Sequence, residues 1–324
     1  MRIKKRTGDR IFKIVAVLFV TLFALICLYP LMMVVSVSFS NETEVLLNGY
    51  SVFPQAPTLD TYRYIFVNSG AKIARSYAVT IFITAVGTIG SLLVTSMCAF
   101  ALSIKKLRYR NVIAYLCNFT IVFSAGLVPW YFICTNVLHL KNSVWSLIIP
   151  SLFSVWNMFL MRTYLSQVPY ALYESALIEG AGWMRIFWRI AVPLSKTAFL
   201  TVGLMYALTY WNDWWNALMF IEKKELFPLQ YFLYGILSNV NAISSGRVPA
   251  GVTGTLQLPA ETVKMAVTII TIGPIIFLYS FIQKLFCKRR DERRGEGMTA
   301  CRLPRCGVYD FGWGIFWGRA PKGL

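Results

Sequence analysis

Long apolar stretches separated by short basic segments constrain this chain more than any other feature. A membrane helix needs roughly 20 consecutive, mostly apolar residues. Six stretches meet that requirement, at about 14–37, 77–104, 112–134, 144–161, 197–220 and 265–282. Composition agrees: 57% of the chain is hydrophobic and only 14% is charged, whereas a soluble domain is about half apolar and a quarter charged. A water-soluble globule is therefore excluded. The first stretch is too long for a signal-peptide core and lacks a small-residue cleavage site, so it reads as an uncleaved span. The expected architecture is all-α: a polytopic membrane protein with six transmembrane helices.

Charge orients the helices. Six Lys and Arg precede the first stretch, four lie in 105–110, four in 162–196 and ten after the last stretch, which places 24 of the 32 on one side. The excess of Lys and Arg in cytoplasmic segments then predicts that both termini are cytoplasmic. The net charge of +18 belongs to these membrane-orienting clusters, so the partner that it implies is a lipid bilayer and not nucleic acid. Seven cysteines without CxxC spacing argue against a disulfide framework and a zinc site. His139 reads as an ordinary loop residue. The outward segments 40–76 and 221–263 are long, balanced in charge and marked by Gly49, Pro54, Pro57, Gly246, Pro249, Gly251 and Gly254. They are either a docking surface for an external partner or plain solvated connections.

The cytoplasmic loop 162–196 is unusual. Residues 169–179 read as a short helix, with Pro169 at its first position and Gly180 at a left-handed terminus. Gly182 permits a turn into a second helix over 183–190, which Pro193 stops. Leu172, Ala176 and Glu179 share one helix face; Tyr173, Leu177 and Gly180 share a neighbouring one. Such an apolar pair in a water-facing loop either marks a partner site or packs on the chain's own membrane helices.

Glu174-Ser175-Ala176, then Gly180 after three residues, then Ile190, Val192 and Pro193, resembles the EAA loop of binding-protein-dependent ATP-binding-cassette (ABC) importer permeases. That pattern is Glu-Ala-Ala, three residues, Gly, nine residues, Ile, one residue, Leu-Pro. Here Ser175 and Val192 replace an Ala and the Leu. The resemblance extends over about residues 8–286. Gly8-Asp9-Arg10, Tyr29-Pro30 and Ser38-Phe39-Ser40 are similar to the carbohydrate branch near the maltose-type inner subunits. Residues 123–129, Trp211-Asn212, Asn216-Ala217-Leu218 and Pro228-Leu229-Gln230 are similar to permeases for complex oligosaccharides, the lipoprotein-associated type of Gram-positive bacteria. The resemblance implies a type I importer transmembrane domain over 14–286 after a cytoplasmic N-terminus (1–13). It further implies a coupling loop at 162–196 that carries Tyr173, Glu174, Ser175, Ala176, Gly180, Gly182, Ile190 and Pro193. The implied setting is the bacterial plasma membrane. The implied partners are a second homologous permease, a cytosolic ABC ATPase dimer, an extracellular solute-binding lipoprotein and a sugar substrate.

No GxxxxGK[ST] phosphate loop occurs, so ATP and Mg are expected on the ATPase subunits, and this chain is expected to bind no cofactor and catalyse no reaction. The carboxylates of Glu174 and Glu179 are paired by spacing alone. A secondary transporter or channel, the alternative class, would need ionisable residues in several spans, but only Asp213 lies within one. Intramembrane ionisable residues are costly and face a cavity or a partner. Asp213 sits in Tyr210-Trp211-Asn212-Asp213-Trp214-Trp215-Asn216. Helical spacing puts Asn212 and Asn216 on one face and Trp211 and Trp215 on the next. Trp211, Asn212, Asp213, Trp215 and Asn216 are the candidate translocation-path residues; helix–helix contact and an interfacial aromatic belt are the competing readings. The tail 287–324 departs from the family pattern. It carries nine basic and four acidic residues and an aromatic, Gly-rich run, and reads as a lipid-binding basic tail or the product of a shifted reading frame.

Overall fold

The computed structural model describes residues 7–244, 261–274 and 276. The chain divides into two units, Met1–Thr271 and Ile272–Leu324; the described residues of the second, 272–274 and 276, are helical. Gly246, Pro249, Gly251 and Gly254, most of the sixth stretch beyond 276 and the tail 287–324 lie outside the described residues.

Two helices are long and apolar enough to cross a membrane. The first is α1 (Thr7–Ser38), whose segment Ile14–Ser38 has no buried residue in its most apolar window. Water cannot be the solvent of a helix that is apolar on every side. The second is α3 (Asp60–Ser103), about 66 Å long at 1.5 Å per residue, whose candidate span is Gly70–Ser103. A short helix, α2 (Glu42–Asn48), lies between them and is capped by Asn41.

Three of the expected spans are interrupted, each for a local reason. The stretch 112–134 forms α4 (Arg110–Val122) and α5 (Leu127–Phe132), the latter continued by a π turn over Ile133–Val137. The chain bends by 112° between the two arms. Gly126 takes φ +87° at the bend, and Pro129 lacks the N–H that would have tied α5 back across it. The stretch 144–161 becomes α6 (Trp145–Ile148), a 3₁₀ turn at Pro150, and α7 (Val155–Leu165), which Ser154 caps. Helices α8 (Ala171–Ile178), α9 (Trp183–Ile186) and α10 (Val192–Leu194) lie in the loop 162–196. The stretch 197–220 divides into α11 (Lys196–Trp211) and α12 (Trp215–Phe220). Among the described residues the potential spans number two, or up to four if each sharply bent pair is one crossing. The segment 221–263 also differs from a simple connection, because α13 (Leu229–Ser244) occupies it. Helical backbone over 261–271 forms α14.

The core is the seam between α3 and α11. Gly87, Ser91, Thr95 and Ala99 recur every fourth residue on α3; Ala198, Val202, Tyr206 and Tyr210 do so on α11. All eight are buried. Small residues on α3 let the backbones approach, and the two tyrosines fill the space that they leave. The Tyr210 hydroxyl donates to the Ile148 carbonyl (3.1 Å) and meets Ser91 Oγ (2.9 Å). The Tyr206 hydroxyl accepts from the Ser154 N–H (3.0 Å) and meets Thr95 Oγ1 (2.7 Å). Backbone groups freed where the fourth stretch breaks are thus satisfied by side chains of α11. Non-helical backbone at membrane depth requires such partners.

A second cluster joins Ile65 and Ile73 of α3 to Leu229 of α13 and to Ala266 and Val267 of α14. Above it, Glu42 accepts hydrogen bonds from the Glu261 N–H (3.0 Å), the Thr262 N–H (2.8 Å) and Thr262 Oγ1 (2.7 Å), capping the start of α14. The Tyr50 hydroxyl donates to Glu261 Oε2, and that bond, with burial and the neighbouring carboxylates, pushes its pKa up to about 12. Ion pairs Arg75–Glu225 (3.3 Å) and Lys141–Glu222 (2.7 Å) join segments predicted to lie on the same side. Lys106–Glu174 (3.5 Å) joins two segments predicted on the other. His139, in the turn before Lys141, is exposed and takes φ +49°.

The α3–α11 seam makes a prediction. A Cβ at Gly87 would lie 2.7 Å from ring carbons of Tyr210, and that ring is held by two hydrogen bonds. Gly87→Ala is expected to destabilise the protein by about 1–3 kcal/mol, seen as a lower thermal midpoint in detergent. Gly70→Ala, with nothing within 4 Å of the new Cβ, is expected to stabilise α3 by up to about 1 kcal/mol through helix propensity.

Candidate coupling and translocation sites

The helix pair of loop 162–196 is built on backbone geometry that its glycines and prolines require. Helix α8 ends with Gly180 at φ +82°. The Ala181 N–H donates to the Ala176 carbonyl (2.9 Å) and the Gly180 N–H to the Leu177 carbonyl (3.0 Å), the paired bonds of a Schellman terminus. Gly182, extended at ψ 156°, starts α9. The second helix departs from the expected 183–190: α9 passes at Phe187–Ala191 into a π turn, closed by the Val192 N–H on the Phe187 carbonyl. Pro193 follows directly. Its ring would clash with the carbonyl four residues earlier in a regular helix, and the wider π turn relieves that conflict. The chain then turns by 85° into α11.

One side of this pair faces inward. Tyr173, Ala176, Ile186, Phe187 and Ala191 belong to the main core. Phe100 near the end of α3 is the hub: its ring meets Tyr173 (5.8 Å), Trp183 (6.4 Å) and Phe187 (5.3 Å). Burial raises the pKa of Tyr173, whose hydroxyl, like that of Tyr170, has no hydrogen-bond partner. The buried stripe is Tyr173 and Ala176, three apart, with Leu177 packed beside them, so it takes one residue from the Leu172–Ala176–Glu179 face and two from the neighbouring face. Leu172, Glu174, Ser175, Ile178 and Glu179 are exposed, Ile178 to 87%. Ile190 is half-buried. The loop thus both packs on its own helices and presents an apolar tip.

The second candidate site is rearranged by the break after α11. Asn212 and Asn216 do not share a helix face, because residues 212–214 are not helical. Asp213 instead caps α12: its Oδ1 accepts from the Asn216 N–H (3.0 Å) and its Oδ2 from Asn216 Nδ2 (2.6 Å). Asn216 Nδ2 also reaches Ser151 Oγ (3.2 Å), tying α12 to the 3₁₀ turn. Trp211 packs against Tyr77 (6.5 Å), and its indole N–H is buried without a partner. Trp215 is exposed and lies edge-on to Trp214 (5.6 Å). Asn212 accepts from Gln230 Nε2 (3.0 Å). The stretch therefore brings Asp213 and Asn216 together, turns Trp211 away and leaves Asn212 and Trp215 open. Sequence reasoning missed Gln230, Tyr231 and Tyr234 of α13; the signal was an aromatic pair three residues apart beside an amide. Among the described residues no group of three or more His, Cys, Asp or Glu side chains could hold a metal ion.

A long apolar helix with none of its most apolar window buried, together with apolar stretches broken at short hinges, fits a chain that lives in a bilayer. The chain is 33% identical to the polygalacturonan/rhamnogalacturonan transport system permease protein YtcP of Bacillus subtilis (strain 168), over 86% of this chain and 96% of that protein. It is 35% identical to protein LplC of the same organism, over 87% of this chain and 93% of that protein. A solved bacterial ABC transporter involved in the import of the acidic polysaccharide alginate contains a chain of the same fold, with a TM-score of 0.75 and 30% identity, covering 88% of this chain and all of that one. No family model matches. The chain belongs to the family of ABC transport-system permeases.

The loop 162–196 predicts a contrast at one position. Tyr173→Phe removes a buried hydroxyl that has no partner and is expected to leave the thermal midpoint unchanged or raised. Tyr173→Ala empties the space beside Phe100 and is expected to cost about 3–5 kcal/mol, as aromatic truncations do.

Proposed function

We propose that this chain is a permease subunit of an ATP-driven importer for a sugar, an oligosaccharide in particular, and forms half of the translocation pathway. The observation that carries this reading is the loop 162–196: its inner face is fixed to α3 through Phe100 while Ile178 projects from its tip. Glu174, Ser175, Ala176, Gly180, Ile190, Val192 and Pro193 stand in the importer pattern there, with Tyr173 and Gly182 beside them. The names of the relatives, and the alginate importer's fold, support the sugar class.

In this reading the chain itself binds no ATP or Mg and catalyses no reaction. A cytosolic ABC ATPase dimer receives the Ile178 tip. A second homologous permease completes the pore, and an extracellular solute-binding lipoprotein delivers the sugar. The setting is the bacterial plasma membrane, with six crossings, some of them broken, and both termini cytoplasmic. The grouping of loop-to-loop ion pairs into two sets supports that sidedness. Nucleotide acts by binding one state of the assembly better than another. ATPase closure displaces the helix pair, and the Phe100 hub transmits the displacement to α3 and the α11 seam. Trp211, Asn212, Asp213, Trp215 and Asn216 border the path, Asp213 and Asn216 by holding its broken helix in shape and Trp211 from behind.

Gly180→Pro tests this directly. Proline cannot adopt φ +82°, so the terminus of α8 and its tip must move. Sugar uptake by the reconstituted importer is expected to fall more than tenfold, with loss of the sugar-stimulated component of ATP hydrolysis. Stimulated hydrolysis at the unmodified level would contradict the proposal.

A further inference from the structure

Segments 40–76 and 221–263, far apart in the chain, are tied to each other by one carboxylate. Glu42 Oε1 accepts from the Glu261 N–H (3.0 Å), and its Oε2 accepts from the Thr262 N–H (2.8 Å) and Thr262 Oγ1 (2.7 Å). Thr61 Oγ1, in the first turn of α3, donates in turn to Thr262 Oγ1 (3.1 Å). Thr61 and Thr262 are buried and Glu42 is half-buried. A chain of hydrogen bonds therefore runs from α3 through α14 to α2. Beside it the Tyr50 hydroxyl donates to Glu261 Oε2 (2.8 Å), and the Tyr62 hydroxyl donates to Ser38 Oγ at the end of α1 (3.0 Å).

This arrangement is more than a helix cap. A helix start is ordinarily capped from within, by a Ser, Thr, Asp or Asn at its own N-cap. The start of α14 is capped instead by a residue 219 positions earlier, so its first turn is complete only while α2 is seated on it. Among the described residues no ion pair reaches Glu42. The three donors are what hold its charge, and hydrogen bonds to an ionised acceptor are the strong ones. The pair Arg75–Glu225 joins the same two segments, but it is exposed on both sides and adds little.

Helix α3 gives the clasp a mechanical partner. It is continuous over Asp60–Ser103, and Thr61 and Phe100 stand about 58 Å apart along it at 1.5 Å per residue. At one end the rings of Tyr173, Trp183 and Phe187 grip Phe100. At the other, Thr61 holds Thr262 and, through it, Glu42. A rod of that length passes displacement only to what is fastened at its far end.

We propose that Glu42 is a positioning residue that, through Thr262 and Thr61, pins α2 and the start of α14 to α3, so that they move with α3 when loop 162–196 is displaced. The proposal rests on the importer reading. It assigns the two outward segments a single rigid root.

Hydrogen–deuterium exchange of the complete importer in nanodiscs, with and without trapping of the ATPase by ATP and vanadate, tests the pin. In the unmodified importer, trapping is expected to change exchange at least threefold in peptides from loop 162–196 and also in peptides covering 42–50 and 261–271. Glu42→Gln keeps the side chain's size but presents an amide N–H to one of the donors. Thr61→Val keeps the cap of α14 but severs it from α3. In both variants the response of loop 162–196 is expected to persist, while the response of 42–50 and 261–271 falls below a third of its size. Glu44→Ala, which removes the neighbouring carboxylate that bonds Asn48, is expected to keep both responses. An outward response retained in either Glu42→Gln or Thr61→Val, or lost in Glu44→Ala, would overturn the pin. So would loss of assembly in both Glu42→Gln and Thr61→Val, which assigns the clasp to folding alone, or an unmodified importer in which only loop 162–196 responds. An unmodified chain in which loop 162–196 itself ignores trapping would instead overturn the importer reading, so the two failures are distinguishable.

Discussion

Two tyrosine hydroxyls on α11 hold this molecule's least regular segment in place, and much of the rest depends on them. The stretch around Pro150 cannot continue as one helix, so carbonyl and N–H groups come free inside an apolar bundle. Tyr210 satisfies the Ile148 carbonyl and Tyr206 the Ser154 N–H. Both hydroxyls also reach α3, at Ser91 and Thr95. Three chain segments are thereby fixed at one level. An unpaired backbone group in hydrocarbon costs several kcal/mol, so the break and the tyrosines must be kept together. The regular recurrence of Gly87, Ser91, Thr95 and Ala99 makes room for them.

This seam continues into the loop that the functional reading relies on. Ala99 leads to Phe100, and Phe100 is gripped by Tyr173, Trp183 and Phe187. A force on Ile178 therefore acts on α3 through packed rings and on α11 through the seam. Packed interiors shift between discrete arrangements and do not bend continuously, which suits a part that passes on a two-state motion. The surface pair Lys106–Glu174 is exposed on both sides and adds little to that rigidity.

Much of this was legible in the residues. Gly180 reads as a left-handed terminus and takes that conformation; Pro193 reads as a stop, but the π turn carries the helical backbone through it as far as Leu194. Both inferences concern backbone constraints that act within a few residues. The breaks at Gly126, Pro150 and Asp213 were not legible as breaks, because an apolar window of 20 residues averages across a hinge of three or four. Asn212 and Asn216 were misplaced for the same reason: spacing of four implies a shared face only where the helix is continuous. Helix α13 was hidden among charges and glycines that mark a loop on average, though Phe232, Leu233 and Ile236 bury a face. The α3 seam was available as a series of small residues every fourth position.

The central claim is that the tip of α8 seats on a separate ATPase while its other face stays locked to α3. Photo-cross-linking from position 178 tests it most directly, with the photoreactive residue in place of Ile178 in the assembled importer. The account predicts a cross-link to the ATPase subunit from position 178 and none to it from position 176, which faces the core. A cross-link from 178 to lipid or to this chain alone, in complexes that retain the ATPase, would contradict it.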